Sequence, residues 1–230
     1  MSAAKKTKKQ KVERRERRFT AEPTYASRLN VGIGMLGAAA LGAGVYAQWV
    51  REEAFAFAPY LVGAGVLGLG GALWRGEAEV GHVRVGDGGV VLERSSDSTR
   101  ILWCDIERIS IEGGRAFVRG KDANLSFPVD AHPKATAWLV SEAGRRVPDV
   151  VAVPRAEVEK LLVPSEGDGE LVSVEDIQVT GRHCRATGKP IAFERHAREC
   201  PTCGETYLKD EVPKRCLTCQ AELGTRAREA

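Results

Sequence analysis

Cys200-Pro201-Thr202-Cys203-Gly204 and Cys216-Leu217-Thr218-Cys219 are two Cys-x-x-Cys pairs, and twelve residues separate Cys203 from Cys216. A tight turn within each pair turns both sulfurs to one side, and two such pairs supply four thiolates to one ion. Thiolates suit the softness of zinc, and four of them leave no coordination position open for a substrate. The spacing therefore predicts one structural Zn²⁺ held by Cys200, Cys203, Cys216 and Cys219. Two pairs outside a βαβ context do not read as a thioredoxin-type redox motif. Four of the six cysteines clustered in this way also argue for a reducing compartment rather than a disulfide framework. Cys184, His183 and His196 stand upstream as additional metal candidates, with a weaker claim because four cysteines already complete a site.

The wider stretch resembles a degenerate RING-type finger of prokaryotic chains. Cys184-x-x-Thr187-Gly188-Lys189-Pro190-Ile191 is similar to that family's first ligand pair, Cys200/Cys203 to its second and Cys216/Cys219 to its fourth. The resemblance implies a cross-brace in which pairs one and three hold one zinc, and pairs two and four another. Thr187 stands where a cysteine is expected, and Leu208 to Glu211 offers no Cys or His for the third pair. One site is thus expected intact and the other dismantled, and ligase activity does not carry over.

What positions this cluster begins with membrane anchoring. Leu29 to Val50 and Ala54 to Trp74 are uncharged runs of 22 and 21 residues, bounded by Arg28, Arg51-Glu52-Glu53 and Arg75. About 20 apolar residues cross a bilayer core. Tyr46, Trp49, Phe55, Phe57 and Tyr60 gather at the turn end, as interfacial aromatics do. The prediction is a two-helix hairpin, packed through small residues such as Ala40 and Gly44 against Ala64 and Gly68. The competing reading is a buried Gly/Ala hairpin of a soluble protein. Gly32-x-Gly34-x-x-Gly37 and Gly63-x-Gly65-x-x-Gly68 mimic a dinucleotide-binding pattern, but each lies inside a run of membrane length rather than at a strand-to-helix turn. Residues 1–18 hold nine Lys/Arg and two Glu, a net +7 in a chain of net +3. Such a run reads as a disordered tail kept in the cytosol, and an even number of spans returns the chain to the same side.

Between about 77 and 148 the pattern changes to short strands divided by turns: Gly86-Asp87-Gly88-Gly89, Ser95 to Ser98, Gly113-Gly114 and Gly120 to Asn124. A helix then begins near Pro133, with Ala135, Trp138, Leu139 and Ala143 on one face. This order, with Ile101-Leu102-Trp103-Cys104-Asp105-Ile106, resembles a bacterial pleckstrin-homology-like domain. The resemblance implies a seven-stranded antiparallel sandwich or barrel closed by one C-terminal helix. Trp103 is expected in its core. Its turn Gly86 to Gly89 is acidic, which departs from the basic headgroup-binding loop of that family.

The expected layout is a disordered basic tail (1–27), two transmembrane helices (28–75; about 29–50 and 54–74) and the pleckstrin-homology-like domain (77–148), which should fold alone. A linker with a short helix and a strand (149–182), a zinc-finger module (183–223) and a tail (224–230) follow. No activated nucleophile or phosphate loop stands out. The expectation is a non-catalytic adaptor, integral to the cytoplasmic membrane, with both termini cytosolic and a cytosolic protein as partner. Nucleic-acid binding is the alternative, disfavoured because 183–230 carries nine Lys/Arg against seven Asp/Glu. A RING-like enzyme is the third reading.

Overall fold

Strand β1, Arg15–Phe19, pairs antiparallel with β2, His82–Gly86, so the two ends of the apolar segment between them meet in one sheet. The computed structural model describes residues 14–50, 55–76, 81–94, 97–174, 178–224 and 227–229. The chain divides into two units, one made of residues 21–81 and one of residues 1–20 with 82–230.

The smaller unit is helical. Helix α1, Tyr25–Val45, is capped by Thr24, whose side chain accepts the Ser27 amide at 3.2 Å, and it continues as a π-helical turn, Tyr46–Val50. Helix α2 spans Ala58–Gly76. The stretch Tyr25–Val50, 26 residues whose most apolar 18 have a mean hydropathy of 1.5, is long and apolar enough to cross a membrane, whereas the apolar part of α2, Ala58–Trp74, is shorter. The helices touch through backbone. A Cβ on Gly37 would lie 2.6 Å from the Leu69 nitrogen, and one on Gly44 would lie 2.8 Å from the Val62 nitrogen. Gly44 and Gly68 sit at this contact as expected, but Ala64 is exposed and Gly65 takes its place. Of the two three-glycine patterns, Gly34, Gly37, Gly65 and Gly68 pack, while Gly32 and Gly63 face open space. Large apolar side chains point outward, with Met35 69%, Leu36 74% and Leu67 78% exposed. Ala54, the expected start of the second run, lies outside the described residues.

The larger unit is mostly β. Strands β3 (Gly89–Glu93) and β4 (Ser98–Ile101) extend the first sheet, while β5 (Ile106–Glu112), β6 (Arg115–Gly120) and β7 (Asn124–Pro128) form a second. Every strand pair is antiparallel. Gly113 and Gly114, at φ +56° and +74°, make the tight β5–β6 turn that a Cβ would strain. Helix α3, Pro133–Arg146, has proline at its first turn and buries Ala135, Leu139 and Ala143 at a spacing of four. A short α4, Arg155–Val158, follows, and β8, Glu170–Ser173, joins β1 to give a five-stranded order β4-β3-β2-β1-β8. Three short strands, β9 (Ala197–Glu199), β10 (Thr206–Leu208) and β11 (Arg228–Glu229), make the last sheet in the order β10-β9-β11.

Three expectations change. Residues 15–19 are an interior strand, not part of a disordered tail; residues 1–13 lie outside the described residues. The reason is charge partnering from distant sequence. Glu16, fully buried, is ion-paired with Arg100 and lies 3.7 Å from Arg84, and Phe19 enters the core. Arg17 stacks 4.7 Å above Trp138 and donates to the Glu166 and Asp168 carbonyls at 2.6 and 2.8 Å. Second, 149–182 is not only a linker, because β8 belongs to the first sheet. Third, one buried cluster runs from Val83, Ile101, Trp103, Val118, Phe127 and Leu139 into Cys200, Cys203, Tyr207, Cys216 and Leu223, so the cysteine region is no separate module.

Candidate metal centre

Three turns of one design build the cysteine region. In the first, Gly188 N–H donates to the Cys184 carbonyl at 2.7 Å, and Cys184 N–H donates to Lys189 at 2.8 Å. In the second, Gly204 donates to Cys200 at 3.0 Å and Cys200 to Glu205 at 2.8 Å; in the third, Gln220 donates to Cys216 at 3.0 Å and Cys216 to Ala221 at 2.8 Å. The flanking residues also correspond: His183 bridges Pro190, Glu199 pairs with Thr206, and Arg215 bridges Glu222. The fifth residue of each turn is left-handed, Gly188 at φ +70°, Gly204 at +76° and Gln220 at +60°. Among the described residues Gln220 is the one non-glycine in that region, a strain tolerated where tertiary contacts fix the turn. Backbone N–H groups reach the sulfurs of these turns, those of Thr187 and Ala186 at Cys184, that of Cys219 at Cys216 and that of Ala221 at Cys219.

The second and third turns face each other. Cys200 Sγ lies 3.6 Å from Cys219 Sγ, and Cys203 Sγ lies 3.6 Å from Cys216 Sγ. All four sulfurs fall within 4.8 Å of one another. Sulfurs about 2.3 Å from a tetrahedral ion are about 3.8 Å apart, so the four can hold one metal ion. Cys200, Cys203 and Cys216 are buried and Cys219 is half-buried. Their protons are unequal. Hydrogen bonding to Cys200 and Cys216 pushes the Cys203 thiol far up, hydrogen bonds from Cys200 and Cys203 pull Cys216 far down, and burial pushes Cys219 up to about 12. Four sulfurs this close do not all ionise without a cation among them.

Residues outside the cysteines hold the two turns together. The Tyr207 ring is fully buried; its hydroxyl is 3.3 Å from Cys216 Sγ and accepts the Leu217 N–H at 2.9 Å. Glu205 accepts the Thr218 hydroxyl at 2.5 Å. Both come from the second turn and its following strand, and both reach the third.

The first turn carries no second cysteine. Cys184 is buried, and its Sγ accepts the Leu208 N–H at 3.3 Å. Burial raises its pKa, but the Thr187 hydroxyl and the backbone N–H of Leu208, Thr187 and Ala186 outweigh that and leave it lowered. The donors around the Cys184 sulfur are thus a hydroxyl and backbone amides. None of the additional candidates joins the four-sulfur group. His183 contributes its carbonyl, which accepts from the Thr206 hydroxyl at 3.5 Å, and His196 packs edge-on against Phe193 with ring centroids 5.8 Å apart.

The cysteine turns are also tied to the first sheet and its helix. Cys104 N–H donates to the Cys203 carbonyl at 3.0 Å, and Arg182 donates to Asp105 at 2.7 Å. Arg146 spans Thr202, Asp87 and Glu142 at 2.9, 2.7 and 2.8 Å, and Arg14 is ion-paired with Glu199. Trp103 is buried as expected, in a 3₁₀ turn, its Nε1–H donating to the Gly86 carbonyl at 2.8 Å. Burial and the Asp105 carboxylate, against the Arg182 guanidinium, push the Cys104 thiol up to about 12. Sequence patterns did not single out Arg14, Arg146, Arg182, Glu205 or Tyr207, because each partner lies elsewhere in the chain with no periodic relation to it. Compared with known proteins, the chain matches no family model, no curated protein and no solved structure.

Proposed function

We propose that this chain is a non-catalytic, membrane-tethered adaptor whose metal centre is a structural Zn²⁺ site. The observation that carries the reading is the closed set of four sulfurs fused to a β-sandwich core: four soft donors suit zinc and leave no position for a reactant. Such an ion supplies rigidity, and the residues around it present a fixed surface to a protein partner.

The tether is a two-helix transmembrane hairpin, α1 and α2, with both chain ends on the cytosolic face. Its support is the outward array of Met35, Leu36 and Leu67 around a glycine-lined contact, which suits lipid better than water. The pairing of β1 with β2 adds to it, because a segment inserted between two paired strands must leave and return on one side. The body is a pleckstrin-homology-like sandwich. Four strands, β1–β4, in one sheet, three, β5–β7, in the other and the closing helix α3 support that reading, with the hairpin inserted after the first strand and β8 added at the edge. The three like turns, one short of ligands, support a RING-type finger that has lost one site.

Photo-crosslinking from surface positions of the cysteine region, in intact membranes, tests the adaptor reading. A discrete protein adduct that disappears in Cys216→Ser is the expected result. Adducts with nucleic acid, weakening steeply with salt, would replace it with the nucleic-acid reading.

A further inference from the structure

We infer that Tyr207 is a positioning residue of the metal centre, its hydroxyl donating to the Cys216 thiolate and locking the third turn onto the second. The inference rests on the metal reading of the four cysteines. Three observations carry it. The ring is fully buried, and its oxygen is 3.3 Å from Cys216 Sγ. That same oxygen accepts the Leu217 N–H at 2.9 Å, which occupies a lone pair and leaves the phenol proton directed to the sulfur. Finally, the Glu205–Thr218 hydrogen bond ties the same two turns beside it, so the third turn is seated by protein contacts as well as by metal.

The chemistry follows from charge. Four thiolates around a divalent cation carry excess negative charge, and a hydroxyl donating to one sulfur spreads that charge and weakens its attack on electrophiles. Cys216 is thereby less reactive than its burial alone would make it. Cys219, half-buried, is the one alkylating agents reach first. The hydroxyl also sets the direction of the Cys216 sulfur before the ion arrives, so its removal costs affinity and not only reactivity.

The test uses the full chain in detergent, with Co²⁺ as a spectroscopic stand-in and per-cysteine alkylation read by mass spectrometry. Wild type is expected to bind one Co²⁺, with a sulfur-to-metal charge-transfer band. Tyr207→Phe keeps the ring and should keep the stoichiometry, lose about tenfold in affinity, within the range of about 10–100-fold for outer-shell partners, shift the band and expose Cys216 to alkylation. Incorporating 3-fluorotyrosine at 207, a stronger donor of nearly the same size, should shift the band the opposite way; this arm stands even if the phenylalanine variant misfolds. Glu205→Gln should leave the band in place. An unchanged affinity and band in Tyr207→Phe, or an unmoved band with fluorotyrosine, overturns the inference while the metal site stands. Wild type that binds no metal overturns both.

Discussion

The backbone amide of Cys104 donates to the carbonyl of Cys203 at 3.0 Å, joining the turn after β4 to one of the four-sulfur turns. The two lie in one buried cluster with Trp103, and the cysteine region and the sheets are expected to unfold together.

Removing the metal should therefore destabilise the whole larger unit. Chelation, or Cys216→Ser, is expected to lower the midpoint of one transition in which tryptophan emission and β circular dichroism change together. The loss is about 4 kcal/mol where free metal had stood a thousandfold above its Kd. Separate transitions for the two signals would show that the regions fold independently.

Metal content should be one ion per chain and should survive loss of the three upstream candidates. His183→Ala and His196→Ala leave it at one by elemental analysis. Cys184→Ser also leaves it at one, at a cost of about 1 kcal/mol, because the sulfur that accepts the Leu208 N–H is buried and replaced by a smaller atom. A fall to zero in any of these would place that residue among the ligands.

Phe19 pairs with Val83 across β1 and β2, so the first sheet needs a strand from before the helical unit. A fragment of residues 77–148 lacks β1, β8 and the cysteine region and is expected not to fold alone, whereas a chain that joins residues 14–20 directly to 82–230 should. Phe19→Ala and Trp103→Ala should each cost about 3–5 kcal/mol, since each side chain is buried. Reporters fused at Lys11 and after Ala230 should both report the cytosol, and opposite reports would refute a paired hairpin.

Cys104 supplies a pH test. Its folded pKa, about 12, lies above the ordinary thiol value, so the native state favours the neutral form. Its contribution is present below the unfolded pKa, about 8.5, and is lost as pH rises toward 12. Alkaline destabilisation should begin near that lower value and be reduced in Cys104→Ala. Iodoacetamide should spare Cys104 in native protein at neutral pH and modify it after unfolding. Fast native labelling would mean the thiol is exposed.

Local chemistry was legible in the sequence because its signals are short-range. The paired Cys-x-x-Cys motifs, the uncharged runs, the Gly113-Gly114 turn and the apolar face of α3 each depend on residues a few positions apart, and their periods survive in the chain. Tertiary structure alone decided that the basic stretch 15–19 is an interior strand: Glu16 is a charge to avoid burying until Arg84 and Arg100 arrive from β2 and β4. It alone decided that β8 completes the first sheet, that Gly65 rather than Ala64 faces the neighbouring helix, and that Tyr207 reaches Cys216. Burial of a charge or a hydroxyl is favourable only with its partner in place, and those partners are brought close by the fold, not by the spacing of the sequence.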